Sequence, residues 1–548
     1  MGLFSVLSLG TNGMQTAQTG LDLAGQNIAN ADVEGYSRKR MNMTAAYRYD
    51  GSFGQMGFGT DVINIQRMRN TYIDDQIRRQ NQEVGYAEEI DNTFQRIENV
   101  LTEPSDTGVQ YFLDSFFDSW QNLANNPADL SARTMVKASA QTLTDVFHNI
   151  SGELRDLRQT RNDEISDRVN KVNGILQQIY NFNGEIAAVE ISEQNANDSR
   201  DRRDQALKEL AKLIDIDTSE NALGQVTIST SGNIVVSPAY VQNLEVTTSS
   251  FTRADGTNGT DIGLRFSDSK RLYTPTNGQI KGLLDSRDNV IPEIEAKLNA
   301  MAVTLVEKIN EVHTRGFNLN GFSGNYFFEQ GVTGASDITL LAEIESNVHN
   351  IAAATGGSSV VGVPQNLVMF FGNAPTQILA GVRNVMSGSV VVNSGVNTLT
   401  EGVDYSVNYA MGTIQMLNAG YDGNNLAVQF SYNSGDFKGQ GDNSNAVAIG
   451  QIRQNMTMNL DALGNPTNTF TEYYSSFIGK VGLDRNSAAS TLKTRNFLIE
   501  QYQTQQDSIS AVSLDEEMTD IIKFQHSFQA AARIITTTEK MLEILMSI

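Results

Sequence analysis

Residues 3–28 read LFSVLSLGTNGMQTAQTGLDLAGQNI, and residues 521–545 read IIKFQHSFQAAARIITTTEKMLEIL. In the first stretch Leu7, Met14, Leu21 and Ile28 recur every seven residues, with Leu3, Gly10, Ala17 and Ala24 at the companion positions. In the second, Ile521, Phe528, Ile535 and Leu542 repeat the spacing, accompanied by Phe524, Ala531, Thr538 and Leu545. A seven-residue apolar repeat with two positions per repeat is the seam of a coiled coil. Matching seams at the two ends of one chain predict that the ends pack on each other. The small residues Gly10, Ala17 and Ala24 predict a close helix approach.

The first helix is a poor helix on its own. Gly10, Gly13, Gly20 and Gly25 each cost about 1 kcal/mol relative to alanine in a helix interior, and short isolated helices are already marginal in water. The expectation is therefore a terminal segment disordered in the monomer that folds when another surface covers the seam.

Between the ends the pattern changes. A helical stretch is predicted from about 154 to 212 on the 3–4 spacing of Ile165, Val169, Val172, Leu176, Ile179 and Ile186. Asn183 falls at an a-like position, where a polar residue fixes helix register. The charges Arg200–Asp204 read as a solvated helix face. A second helical stretch is expected over 288–313, with Pro292 in its first turn. Residues 216–275 carry short β-branched runs (Val226–Ser229, Ile234–Val236, Leu244–Thr248) between Gly, Asn and Ser turns. In 331–440, Leu426, Val428, Phe430 and Tyr432 alternate with smaller or polar residues after an Asp422-Gly423 turn, as do Tyr405, Val407 and Tyr409. Helix-capping residues return at Asp442–Asn445.

The expected fold class is mainly α with inserted β domains: a long helical-bundle trunk, terminal N- and C-helices pairing as a coiled coil, and variable β-rich outer domains. The expected division is 1–45 with 505–548 as the terminal domain and 46–215 with 276–330 and 441–504 as the trunk. Residues 216–275 form a small β insertion and 331–440 an outer β domain.

Composition narrows the functions. The chain has 548 residues, 63 acidic and 40 basic side chains, a net charge of −23, no Cys and four His. The negative balance disfavours nucleic acid and anionic membrane. Without Cys there is no disulfide or thiolate metal site, and the scattered His148, His313, His349 and His526 form no zinc motif. No cofactor or metal is expected. Residues 1–37 contain no Lys or Arg, so the opening lacks the charged region of a Sec signal. The uncharged stretch around 347–382 carries Pro364, Gln365, Asn366, Asn373 and Pro375, unlike a membrane span. Composition alone suggests a cytoplasmic protein.

Three sharper features have plain readings. Asp515, Glu516 and Glu517 lie at consecutive positions about 100° apart, in a first helical turn where acids suit the dipole, and are read as capping and subunit contacts rather than an acid–base pair. Asp255–Asp261 lacks the spacing of a calcium loop and is read as a hairpin turn. His313 and His526 are read as packing or surface residues. No catalytic constellation is found.

One longer pattern goes further. Asn27-Ile28-Ala29-Asn30-Ala31-Asp32-Val33-Glu34-Gly35-Tyr36-Ser37-Arg38 resembles the segment closing the first helix of bacterial flagellar axial proteins, with Val33 and Glu34 where Thr and Pro are usual. Similar matches follow in order. They are Gly57-Phe58-Gly59 with Ile65 and Arg67, Asp74 with Gln76, Ile77 and Arg78, Leu123–Pro127 with Arg133, Asp201–Asp204, and Gly278–Arg287. Next come Asn310–His313, Gly316–Gly321 and Phe327-Phe328. Ser513-Leu514-Asp515-Glu516-Glu517-Met518 then leads to Phe524-Gln525 and Ala530–Ile534, with Ala511 and Ser513 where Gly and Asn are usual. Together these resemble the hook-associated protein 1 (hook–filament junction) family.

The resemblance implies a non-enzymatic structural adaptor, exported unfolded by the flagellar type III apparatus and assembled as a ring between hook and filament. It implies partners: other copies of the chain, the hook protein, a second hook-associated junction protein, the export apparatus, and a cytoplasmic export chaperone at the C-terminal helix around 500–548. Neither nucleic acid nor membrane insertion is implied. The location implied is the extracellular flagellum after a cytoplasmic stage. Gly35 and Tyr36 are expected at a joint between terminal and outer parts. Hook protein or flagellin is the alternative within the class, disfavoured by the Leu-Asp-Glu-Glu-Met run. A secreted adhesin or hydrolase using 331–440 is a more distant one.

Overall fold

The computed structural model describes residues 3–546 apart from 34, 46–47, 52–53, 58, 102–104, 106–107, 193, 253–255, 257, 324, 356–358, 363, 370, 372–374, 379–384, 387, 410–411, 422, 434–438 and 461–463. Glu34, Phe58, Asp255, Thr257, Asn373 and Asp422 of the sequence patterns above thus lie outside the described residues.

Helix α1 (Leu3–Ala29) is followed by a long antiparallel pair, Lys39–Ala45 with Thr60–Arg67. Then come α2 (Thr71–Leu101), α3 (Val109–Asn125), α4 (Leu130–Glu190) and α5 (Asn197–Leu213). A β-rich segment leads to α6 (Gly278–Asp285), a π-helical turn at Ser286–Val290 and α7 (Ile291–His313), which has Pro292 in its first turn. The short α8 (Ala342–Ser346) precedes the outer β domain, after which come α9 (Ser444–Gln451), α10 (Phe470–Ser510) and α11 (Leu514–Met546). The chain is mainly helical with inserted β elements.

The long helix α4 organises the trunk. It starts where Pro127 ends the previous segment and Asp129 caps the new one, its side chain accepting from the Ser131 amide at 2.9 Å. With 61 residues it runs about 90 Å and serves two cores in turn. Its first half, from Ala132 to Leu157, packs with α3, α7, α9 and α10 around Phe116, Trp120, Phe147, Phe327 and Phe328, all fully buried. Its second half, from Ile165 to Leu176 and Ile179, packs with α5, α6 and the first β segment.

The helix expected over 154–212 begins earlier and is interrupted. Between α4 and α5 the Asn195 and Asn197 side chains donate to the Ile65 carbonyl at 3.0 and 2.8 Å, and Glu190 accepts from the Ala196 amide. Short polar side chains that bond backbone compete with helix continuation, and here they tie the turn to the neighbouring strand.

Residues 216–275 form a three-stranded sheet (Asp217–Glu220, Val226–Thr230, Asn233–Val236) and a hairpin of Leu244–Thr252 with Asn258–Phe266. They share the α4–α5–α6 core through Val226, Ile228, Leu244, Leu264 and Phe266. Three asparagines on α4 dock these strands as peptide mimics. Asn162 bonds Thr260 O and Ile262 N (2.8 and 3.3 Å), Asn173 bonds Leu244 O and N (2.9 and 2.8 Å), and Asn183 bonds Val226 O and N (2.7 and 3.0 Å). Asn183 therefore fixes a strand on a helix, not the register between helices.

The outer β domain has its own core of Val392, Ile414, Leu426, Val428 and Phe430. Its main sheet places Gln365–Val368, Asn425–Gln429, Val391–Ser394 and Asn397–Thr398 side by side. Leu426, Val428 and Phe430 face inward as their alternation requires, and Tyr405–Asn408 pairs with Thr413–Met416. Residues 331–353 belong elsewhere: Ala335, Ile338, Leu340, Ile344 and Ile351 lie in the trunk core.

Candidate assembly site at the joined chain ends

Helices α1 and α11 pack along their length. On α11 the covered stripe is Glu517, Ile521, Phe524, Phe528, Ala531, Ile535, Thr538 and Leu542, alternating by four and three as a coiled-coil seam requires. Leu545 is exposed. On α1 the buried positions are mostly small, Gly10, Thr16, Ala17, Gly20 and Ala24, joined by Leu23 and Asn27 near the helix end. Leu7, Met14, Leu21 and Ile28 are half-buried at the flank.

The glycines explain this arrangement. A Cβ at Gly10 would stand 2.8 Å from Ile535 Cγ1, and one at Gly20 would stand 2.7 Å from the Phe524 ring. Gly13 faces Ala531, whereas Gly25 meets nothing within 4 Å. Three of the four glycines that weaken α1 as an isolated helix thus make room for α11.

Beneath the helix pair lies a polar joint built from both ends. The Asn27 side chain donates to Glu517 Oε2 at 3.1 Å and to the Lys39 carbonyl at 3.0 Å. It accepts from Tyr36 OH at 2.8 Å and from the Lys39 amide at 3.1 Å. Arg38 Nε donates to Glu517 Oε1 at 2.7 Å, a second guanidinium nitrogen meets Glu516, and the Arg38 amide bonds the Ser510 carbonyl at the end of α10. Glu517 is buried, so its two partners satisfy a charge that would otherwise be costly.

The joint continues into the trunk. Ser37 Oγ donates to Asp201 at 2.7 Å, and Arg67 bridges Asp201 and Asp204 at 2.7 and 2.8 Å. Arg69 forks onto Asp74 at 2.8 and 3.0 Å and reaches Ser37 Oγ at 3.0 Å, while Gln506 of α10 bonds Asp74. Burial works against the Asp204 carboxylate, but Arg67, Arg69 and Arg203 hold its pKa below the ordinary aspartate range. Burial, with Asp198, Asp201 and Glu517 nearby, pushes the Tyr36 hydroxyl up to about 12. Gly35 adopts φ +83°, so the loop turns where a side chain would be strained.

The Arg200–Asp204 run is therefore not a solvated face. Asp201, Arg203 and Asp204 are buried, and Arg203 pairs with Glu220 at 2.9 Å and donates to the Gly224 carbonyl. Helical periodicity could not show this, because the partners come from residues 67, 69 and 220. Of the other motif residues, Asn30 only caps its own helix, donating to Gln26 O at 2.8 Å, and Leu514, Asp515 and Met518 are exposed. His313 is buried, with its ring nitrogens bonded to Asn325 O and the Ala352 amide. His526 is exposed. Among the described residues no helix is long and apolar enough to cross a membrane, and no group of three or more His, Cys, Asp or Glu could hold a metal ion.

The comparisons with known proteins agree with this geometry. Residues 94–328 match the flagellar hook-associated protein FlgK helical domain, and residues 503–548 match the C-terminal region of the flagellar basal body rod proteins FlgEFG. Flagellar hook-associated protein 1 of Bacillus subtilis is 25% identical, over 98% of this chain and 97% of its own. Over nearly its whole length this chain is similar to hook-associated protein 1 (FlgK). The Escherichia coli member is 25% identical over 99% of this chain and 100% of its own, and the Salmonella typhimurium member is 24% identical over the same shares. The flagellar hook junction protein FlgK from Burkholderia pseudomallei shares the fold, with a TM-score of 0.57 and 17% identity over 80% of this chain and 100% of that one. These similarities support a flagellar structural role.

Proposed function

We propose that the chain is a structural adaptor that assembles as a ring at the hook–filament junction and is required for filament attachment. The supporting observation is the joint: Asn27, Tyr36 and Arg38 from one end meet Glu516 and Glu517 from the other, 490 positions apart between Asn27 and Glu517. A terminal pair completed only when both ends are present suits a subunit that must be whole before it can be incorporated.

Two further features fit this role. The pair leaves Phe4, Met518, Ile522, Met541 and Leu545 exposed, more apolar surface than a lone helix pair needs to show. Copies of the chain and the adjoining hook protein and second junction protein would cover it. A cytoplasmic export chaperone would cover the C-terminal helix earlier. The absence of Cys and the glycine-weakened α1 suit a chain passed unfolded through the flagellar type III export apparatus to the outside of the cell.

Electron microscopy of cells lacking the chain tests the role. Hooks without filaments, with filament protein shed into the medium, are expected; normal filaments on those hooks would contradict it. Ile535→Asp, and to a lesser degree Leu21→Asp, should block incorporation while the purified trunk unfolds at the wild-type temperature.

A further inference from the structure

Several motif residues far from the joint converge on the point where the outer β domain leaves the trunk. The emerging segment, 351–355, which ends in the strand Ala354–Thr355, is held by trunk groups at nearly every backbone position. Arg133 on α4 donates to the Ile351 carbonyl and also to Pro127 O, at 3.1 and 2.7 Å, anchoring the guanidinium in the α3–α4 turn. His313 at the end of α7 donates through Nδ1 to Asn325 O at 2.8 Å, which leaves its Nε2 lone pair to accept the Ala352 amide at 2.9 Å. Asn445 on α9 donates to Ala352 O at 2.8 Å, and the Asn445 and Ala446 amides both bond Ala353 O at 3.1 Å. Ala354–Thr355 then pairs with Gly316–Phe317, and the Thr355 amide bonds Asp442 at 2.8 Å. Gly316 is required for this close fit, since a Cβ there would stand 2.2 Å from Asn445 Nδ2 and 2.9 Å from Ala352 Cβ.

Among the described residues, no other pair of elements joins the two bodies as extensively as this segment does. The outer domain closes its own core. A groove of about 530 Å³ separates Glu307, Glu311 and Arg315 of α7 from Met386, Ser389 and Ser431. Among the described residues, Gly388 approaches both Tyr326 OH and Gln330 Nε2 across it. The densest hydrogen bonding between the two bodies among the described residues is therefore where the chain leaves the trunk.

We propose that Arg133, His313 and Asn445 are positioning residues that clamp residues 351–355 and so fix the direction in which the outer β domain projects, while that domain folds independently of the trunk. The hydrogen bonds are all to backbone, so the clamp does not depend on the sequence of what it holds. A different β module could occupy the same site.

Spin-label distances in the purified full-length chain test this directly. The chain has no Cys, so Met135→Cys on exposed α4 and Val396→Cys at a fully exposed turn carry the only labels. The parent should give one narrow distance distribution. His313→Phe removes two bonds, Gly316→Ala displaces Asn445, and each should broaden the distribution at least twofold with helix content unchanged. An unchanged width in Gly316→Ala, or loss of its trunk helix signal, would overturn the clamp. Leu426→Ala in the outer core should lower one melting transition of the full-length chain and leave the trunk's in place, and a shift of both together would overturn independent folding.

Discussion

The trunk and the terminal helix pair are both built from long helices, but they are packed by opposite means. In the trunk, Phe116, Trp120, Phe147, Phe327 and Phe328 interlock, with ring centroids 4.9 Å apart between Phe327 and Phe328 and 5.4 Å between Trp120 and Phe327. In the terminal pair, α1 contributes Gly10, Gly13, Ala17, Gly20 and Ala24, and bulk comes almost entirely from α11. The first arrangement buries enough apolar surface to stand alone. The second brings backbones together but encloses little, leaves apolar residues outward, and relies on a charged joint for its attachment. Stability in one part and incompleteness in the other suit a subunit that arrives as a monomer and is finished by its neighbours.

The largest effect should come from breaking the stronger side. Phe116→Ala should lower trunk stability by about 3–5 kcal/mol, the range for removing a fully buried aromatic ring, read by denaturant unfolding of the monomer. Phe528→Ala, also an aromatic deletion but in the seam, should leave that curve within error while reducing incorporation into flagella. Equal losses in the monomer would erase the contrast.

Acid should weaken the trunk selectively. Burial, opposed only in part by the bond to Asn325 and reinforced by Arg133, lowers the His313 pKa from 6.5 to about 4. A base with a depressed folded pKa supports the fold above its unfolded pKa and loses that support as pH falls from 6.5 towards 4. The loss is on the order of 3 kcal/mol. His313→Gln should flatten the pH dependence of trunk unfolding over that window, and an equally steep dependence in the variant would contradict the assignment.

Smaller effects sharpen the picture. Asn183→Ala removes two backbone bonds to Val226 and leaves buried peptide groups unpaired, and should cost about 2 kcal/mol in thermal unfolding. Gly20→Ala should change sign with context. In the monomer it should raise helicity, by about 1 kcal/mol of helix propensity. In the assembly it should weaken incorporation, because the new Cβ meets the Phe524 ring. A substitution neutral in both settings would mean that Gly20 does not set the approach of the helices.

What could be read from the residues alone follows the range of the interactions involved. The seven-residue spacing is local, and it placed Ile521, Phe528, Ile535 and Leu542 on the covered face of α11. On α1 the companion positions Gly10, Ala17 and Ala24, expected to permit close approach, are buried, while the larger Leu7, Met14, Leu21 and Ile28 lie at the flank. Gly20, read only as weakening the helix, also meets Phe524. Alternation found the strands around Tyr405 and Leu426 because a half-buried strand needs nothing but its own sequence. It could not tell that 216–275 shares a core with α4 while the outer domain closes its own. The buried ionic joint was legible only as a set of family motifs. Nothing in the spacing of Asp201 and Asp204 says that Arg67 and Arg69 will reach them. Asn183 misled for the same reason, since its partner, Val226, lies on another element.

Completion of the terminal pair by neighbouring subunits is tested most directly by hydrogen exchange of amides 5–28. In the purified monomer these amides should exchange within seconds while α3 and α4 stay protected for hours, and in assembled flagella both should be protected. Strong protection of 5–28 in the monomer would show that α1 and α11 are self-sufficient and would contradict the account.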